Sequence, residues 1–115
     1  MLLLFAYFAL VDAEGTVKNV IVADREFVEK HPVKDMTWVE TSMDGSVKKN
    51  YAEIGGKYDK NRDAFIQRKP FNSWVINEES AKWVAPIEKP RDGKDYEWDE
   101  SIRGWKAERS KKIIR

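Results

Sequence analysis

One short pattern, written three times, sets the strongest limit on how this chain can fold. Tyr58-Asp59 is followed by Phe65, Ile76-Asn77 by Trp83, and Trp98-Asp99 by Trp105, with the same interval each time between the opening apolar residue and the closing aromatic. An apolar residue, an Asp or Asn, a short polar run and an aromatic together spell a β-hairpin. The Asx side chain accepts hydrogen bonds from the backbone ahead of it and starts the turn, and the large flanking residues suit strands. In the last two copies a further aromatic, Trp74 or Tyr96, stands two residues before the opening position. A strand period of two puts each on the face of the residue it precedes, so a ladder of large rings is expected along one side. Pro70, Pro86 and Pro90 fall between the copies, where a residue without a backbone donor closes a strand.

Upstream of the repeat the chain also reads as β-structure. Phe5 to Val11 and Thr16 to Val22 are β-rich runs on either side of Asp12-Ala-Glu-Gly15, which predicts a hairpin. Met1 to Val11 is the most hydrophobic segment. It lacks the basic start of a secretory signal and is too short to span a membrane as a helix, so an uncleaved strand is the preferred reading. Asp24 is placed to cap a short helix through Phe27, Val28 and Lys30, with Glu26 near its positive end and Pro32 to stop it. Thr37 to Thr41 reads as a strand and Asp44-Gly45 as a tight turn. Lys48 to Gly56 reads as a link in which Gly55 and Gly56 supply backbone angles closed to other residues.

Composition narrows the function classes. The 115 residues suit one small domain, here divided into a hairpin-rich domain over 1–105 and a basic C-terminal arm over 106–115. With 21 Lys and Arg against 20 Asp and Glu, no overall field points to nucleic acid or a membrane, and neither is an expected partner. The absence of Cys removes disulfides, thiolate zinc sites and cysteine nucleophiles, and suits an intracellular or virion setting.

The residues that chemistry would need are sparse. Glu78-Glu79 and Asp99-Glu100 are carboxylate pairs, but they lie in expected hairpin turns, where carboxylates are solvated. A glycosidase needs them across a cleft. His31 is the single histidine and reads as a helix cap, leaving little for a metal cluster or a catalytic triad. Gly55-Gly56-Lys57 lacks the rest of a phosphate-binding loop. Trp74, Trp83, Trp98 and Trp105 suggest either a packed core or a platform for stacking sugars. Core packing is preferred because the chain has few aliphatics to put inside. No catalytic residue, cofactor or metal site is assigned. Trp74 to Asn77, Ser80, Trp83 and Pro86 match the second half of a WW domain, whose first Trp is replaced here by Asn61, a match that shared turn chemistry explains.

A longer set of residues carries a more specific likeness. Phe5-Ala-Tyr, Val20-Ile-Val-Ala-Asp24, Trp38-Val-Glu-Thr-Ser42, Lys49-Asn-Tyr-Ala52, Tyr58-Asp59, Ser73-Trp-Val75, Asp92-Gly-Lys94 and Tyr96-Glu-Trp-Asp-Glu100 resemble a family of small proteins. These are encoded by tailed bacteriophages of marine bacteria, cyanophages above all. A looser form resembles modules near tail-fibre genes. The resemblance implies a structural virion protein with no catalytic residues to carry over. Leu2, Leu3 and Leu4 extend the chain beyond the family's usual start, and the basic tail lies outside the common pattern. The expectation is a mostly β, single-domain, non-enzymatic virion protein of successive antiparallel hairpins with one short helix. It binds other virion proteins as capsid decoration or cement or as a tail-attached subunit, with self-association as a further option. Its contacts are expected through Leu2, Leu3 and Leu4 and through Arg109, Lys111, Lys112, Ile113, Ile114 and Arg115. The alternatives are a carbohydrate or host-receptor module using the Trp ladder, and a tail-fibre assembly chaperone.

Overall fold

The computed structural model describes residues 4–108. β1 (Ala6–Val11) and β2 (Val17–Ala23) form the N-terminal hairpin and α1 (Arg25–Lys30) follows. β3 (Thr37–Thr41) then returns to the far side of β1, giving an antiparallel sheet in the order β2-β1-β3. Asp12 builds the first turn, its Oδ1 accepting from the N–H groups of Glu14 and Thr16 at 3.0 and 2.8 Å. Asp24 caps α1, Oδ1 accepting from Phe27 N–H at 2.7 Å, and His31 is the C-cap, its ring stacked on Phe27.

Alternation along the strands covers both faces of this sheet. On one, Phe8 and Ala23 are buried with Val28 of α1, and Ala6, Ile21 and Trp38 pack around them. On the other, Ala9, Val11 and Val17 are buried with Ala52 and Phe65, flanked by Val20, Val39 and Tyr58. Val11 pairs with Val17 but Leu10 with Asn19, so Lys18 is the extra residue of a bulge. The bulge reverses the parity of what precedes it and places Val17 beside Val20 instead of beside Ile21.

The repeat becomes three two-stranded units: β4 (Lys57–Asp59) with β5 (Ala64–Ile66), β6 (Val75–Asn77) with β7 (Lys82–Val84), and β8 (Tyr96–Asp99) with β9 (Gly104–Ala107). In each, the opening and closing residues of the pattern are direct cross-strand partners: Tyr58 with Phe65, Ile76 with Trp83, Trp98 with Trp105. The Asx residue holds each turn, Asp59 accepting from Asn61 and Arg62 N–H, Asn77 from Glu79 and Ser80 N–H, and Asp99 from Ser101 N–H. The last loop residue is left-handed every time, at Asp63, Ala81 and Arg103 with φ of 50°, 57° and 48°. None is glycine, so the turn's hydrogen bonds must offset about 1 to 2 kcal/mol of steric cost at each. β9 carries Lys106 and Ala107, and Glu108 N–H donates to Asp95 O. The first residues of the expected basic arm therefore belong to the last hairpin.

The stretch over 48–56 is more than a link. Val17 N–H donates to Gly56 O, Gly55 N–H to Val17 O and Tyr58 N–H to Gly15 O, which stitches the entrance of β4 to the first hairpin. Gly55 has φ +89° as expected, but Gly56 is required for a different reason. A Cβ there would meet Ile66 O at 2.7 Å and Glu53 O at 3.0 Å, so close backbone approach, not a positive φ, selects glycine. Asn50 is buried where the first two repeat hairpins meet. Its Nδ2 faces the carbonyls of Phe65, Ser80 and Ala81, and its Oδ1 accepts from Lys82 Nζ at 2.7 Å. Strung in this way, the chain measures 58 × 36 × 23 Å with a radius of gyration of 18.8 Å, against about 13 Å for a compact chain of its length.

Candidate functional site

The tryptophans are turned to packing. Trp98 is buried, and Trp74, Trp83 and Trp105 are half-buried. Trp74, Trp98 and Trp105 form one cluster with Phe71, at centroid separations of 5.3 to 6.2 Å and mostly edge-on or tilted. This corrects the expected ladder. Trp74 sits just before β6, so the strand period does not run through it and its ring crosses to the third repeat hairpin. Trp83 packs instead on Ala64, Ile66 and Ala81, and Tyr96 donates its hydroxyl to Asp92.

The closing tryptophans also clasp the chain that leaves the preceding hairpin. Trp83 Nε1 donates to Gln67 O at 2.7 Å with Lys69 Nζ 5.3 Å from its ring centroid. Trp105 Nε1 donates to Ile87 O at 2.8 Å with Lys89 Nζ at 5.8 Å. In both linkers the lysine follows the accepting residue by two positions and precedes a proline, Pro70 or Pro90. The repeated unit is thus a hairpin plus its clasp, and the cations cover ring faces that a sugar would need.

The acidic residues serve as turn-holders and ion-pair partners. Arg62 binds Glu78 through Nε and Nη2, both at 2.8 Å, which lowers the Glu78 pKa, and the Asp59 pKa is lowered first by the Arg62 backbone N–H and then by Arg62 Nη1. Glu100 accepts from Ser73 Oγ and N–H and from Trp98 Nε1, and these bonds hold its pKa down. Asp44 is held at about 2, chiefly by Ser46 N–H, then by the hydroxyls of Ser46 and Ser42. Tyr58 is pushed up to about 12 by donating to Asp63. Every displaced carboxyl moves downward, whereas a general acid near neutral pH needs the opposite shift. Among the described residues no group of three or more His, Asp or Glu converges as a metal site. The cleft lined by Pro70, Trp74, Lys82 and Trp83 has a volume of about 250 Å³ and one lined by Val11, Glu14, Thr37 and Tyr58 about 300 Å³, at or below the lower end of the range usual for small-molecule sites.

Exposed apolar side chains occur along the fold, Met43, Ile54, Val75, Ile87 and Ile102 among them, and one group lies at its N-terminal end. Leu4 is 74% exposed, Phe5 64%, Val22 59% and Phe27 44%. Phe5, Val22 and Phe27, with Ile21, Ala23 and Asp24, line a concavity of about 370 Å³. Of the contact residues expected from sequence, Leu4 precedes Phe5 of this shelf in the chain and is exposed, but it does not line the concavity. Leu2, Leu3, Arg109, Lys111, Lys112, Ile113, Ile114 and Arg115 lie outside the described residues. Phe5, Val22 and Phe27 were legible only as strand and helix members, because period alone does not say which positions at a sheet's end remain uncovered. No helix among the described residues is long and apolar enough to cross a membrane. Comparison with protein-family models, with curated proteins and with solved structures finds no match to this chain.

Proposed function

We propose that this protein is a non-enzymatic accessory component of a bacteriophage virion, binding other virion proteins as a capsid decoration or a tail-attached subunit. The observation that carries the reading is where the large apolar groups are used. The indoles are committed to ring packing and linker clasps, while Leu4, Phe5, Val22 and Phe27 stay open on one end of the fold. A soluble domain that stands alone has little reason to leave two aromatic rings and two aliphatic side chains uncovered together. The resemblance to small proteins of marine tailed phages supplies the kind of partner. An elongated row of hairpins also presents more surface per residue than a compact domain, which suits contact with neighbouring subunits.

Mass spectrometry of purified virions tests this directly: a fixed copy number per particle is expected. Absence from the mature particle would leave the assembly-chaperone reading instead. A chain truncated after Glu108 keeps all nine strands, and it is expected to fold but to occupy fewer sites on particles. Full occupancy by the truncated form would show that the basic arm is not a contact. Binding of a glycan array with chemical-shift changes at Trp74, Trp98 and Trp105 would replace the proposal with the receptor reading.

A further inference from the structure

β2 is an outer strand of its sheet, and only part of its outer edge is occupied. Val17 uses its N–H and carbonyl on Gly56 and Gly55, so its backbone groups point away from β1. Val20 N–H donates to the side chain Oδ1 of Asn19 at 2.9 Å, which places its backbone groups outward as well. Alternation then turns those of Val22 outward, while Ile21 and Ala23 face their β1 partners Phe8 and Ala6. Among the described residues no strand pairs with this edge beyond Gly56, and its single cover is the Asn19 side chain. Exposed Val22, Phe5 and Phe27 stand beside it. An open edge next to an apolar shelf is a template for another strand.

We infer that two copies of this chain pair here, β2 against β2 about a two-fold axis. Three antiparallel registers use the outward groups of both valines. Setting Val20 against itself brings Val22 opposite Lys18, and setting Val22 against itself brings Val20 opposite Asp24. The remaining register sets Val20 of each copy opposite Val22 of the other, and it alone also sets Lys18 opposite Asp24 at both ends. Both charges have capacity to spare. Lys18 reaches Asp12 only at 3.8 Å, and Asp24 uses Oδ1 for the helix cap, with no partner at Oδ2 among the described residues. Self-complementarity of this kind, apolar against apolar and positive against negative under one rotation, is what an isologous interface requires. The dimer is independent of the virion assignment: it is a property of the isolated chain.

The register puts Ile21 on the axis as a non-hydrogen-bonded pair, with Cα atoms about 4.5 Å apart, within disulfide reach. The chain has no cysteine, so Ile21→Cys introduces a single thiol. Under oxidised glutathione this variant is expected to cross-link as a dimer, whereas Ser101→Cys, on the far turn of the last hairpin, is not. Sedimentation equilibrium is expected to show a concentration-dependent wild-type dimer, weakened about tenfold or more by Val22→Lys and also weakened by Lys18→Glu. Val22 is 59% exposed, so its replacement leaves the fold intact and decides the matter even if the Ile21 variant is unstable. A wild-type chain that stays monomeric up to about 1 mM overturns the inference, as does a Val22→Lys chain that dimerises like wild type. Equal cross-linking of the Ile21 and Ser101 variants does so too.

Discussion

Replacing Asn50 by Ala removes the buried side chain that hydrogen-bonds backbone carbonyls of both of the first two repeat hairpins. Asn50 is 3% exposed, with Nδ2 at 2.9 Å from Phe65 O and at 3.2 Å from both Ser80 O and Ala81 O, and with Oδ1 at 2.7 Å from Lys82 Nζ. Two N–H groups cannot make three full bonds, so the loss is taken as two neutral bonds of about 1 kcal/mol each and one charged bond of about 1.5 to 3 kcal/mol. The sum is about 3.5 to 5 kcal/mol, out of a total stability of about 6 to 17 kcal/mol for a chain of this size. With a urea slope of about 1 to 3 kcal/mol per molar, the midpoint should fall by about 2 M. Urea titration followed by tryptophan fluorescence measures it, and amide exchange should accelerate in β6 and β7 more than in β1 and β2. A midpoint shift below about 0.5 M would refute the reasoning. Asn50→Asp sharpens the test, since it keeps an acceptor for Lys82 but turns a carboxylate toward three carbonyl oxygens. It should destabilise at least as much as Ala, and a tolerated Asp would show that the donated bonds are not what matters.

Other outcomes follow from the same contacts. Gly56→Ala should destabilise by about 2 kcal/mol or more because both clashing atoms are backbone, whereas Gly93→Ala, with open space around it, should cost only the left-handed conformation, about 1 to 2 kcal/mol; equal losses by urea titration would contradict this. Trp74 Nε1 is buried without a partner among the described residues, while Trp105 Nε1 donates to Ile87 O, so Trp74→Phe should cost about 1 kcal/mol less than Trp105→Phe in paired denaturation curves. The lowered carboxyls bind fewer protons folded than unfolded, so their stabilisation is present above the ordinary carboxylate pKa near 4. It is lost as pH falls toward the folded value, about 2 for Asp44. Urea midpoints should therefore decline between about pH 4 and 2, and Asp44→Asn should flatten that decline. Tyr58 is displaced the other way: the folded state keeps its proton longer, so this contribution is present below pH 10 and lost as pH rises toward about 12. An absorbance titration in which Tyr58→Phe leaves the latest-ionising tyrosine in place would contradict that.

What the residues determined by themselves is local. Asp59, Asn77 and Asp99 reach N–H groups two or three positions ahead, Asp24 reaches Phe27, and a fixed interval brings Tyr58 to Phe65 and Trp98 to Trp105. Such bonds depend on neighbours in the chain, so the hairpins, the helix cap and the strand over Thr37–Thr41 could be read directly. Tertiary structure decided whatever joins segments far apart: β3 returning to β1, Asn50 bridging two hairpins, Trp74 leaving Ile76 for Trp98, and each closing tryptophan clasping the linker before it. Asn50 and Gly56 carry no local signature, because one is chosen by carbonyls up to 31 residues away and the other by the path of a neighbouring strand. The exposed shelf of Phe5, Val22 and Phe27 belongs with these. A strand's alternation tells which side chains share a face, but only the packing of α1 and the hairpins against that sheet decides which of them water still reaches.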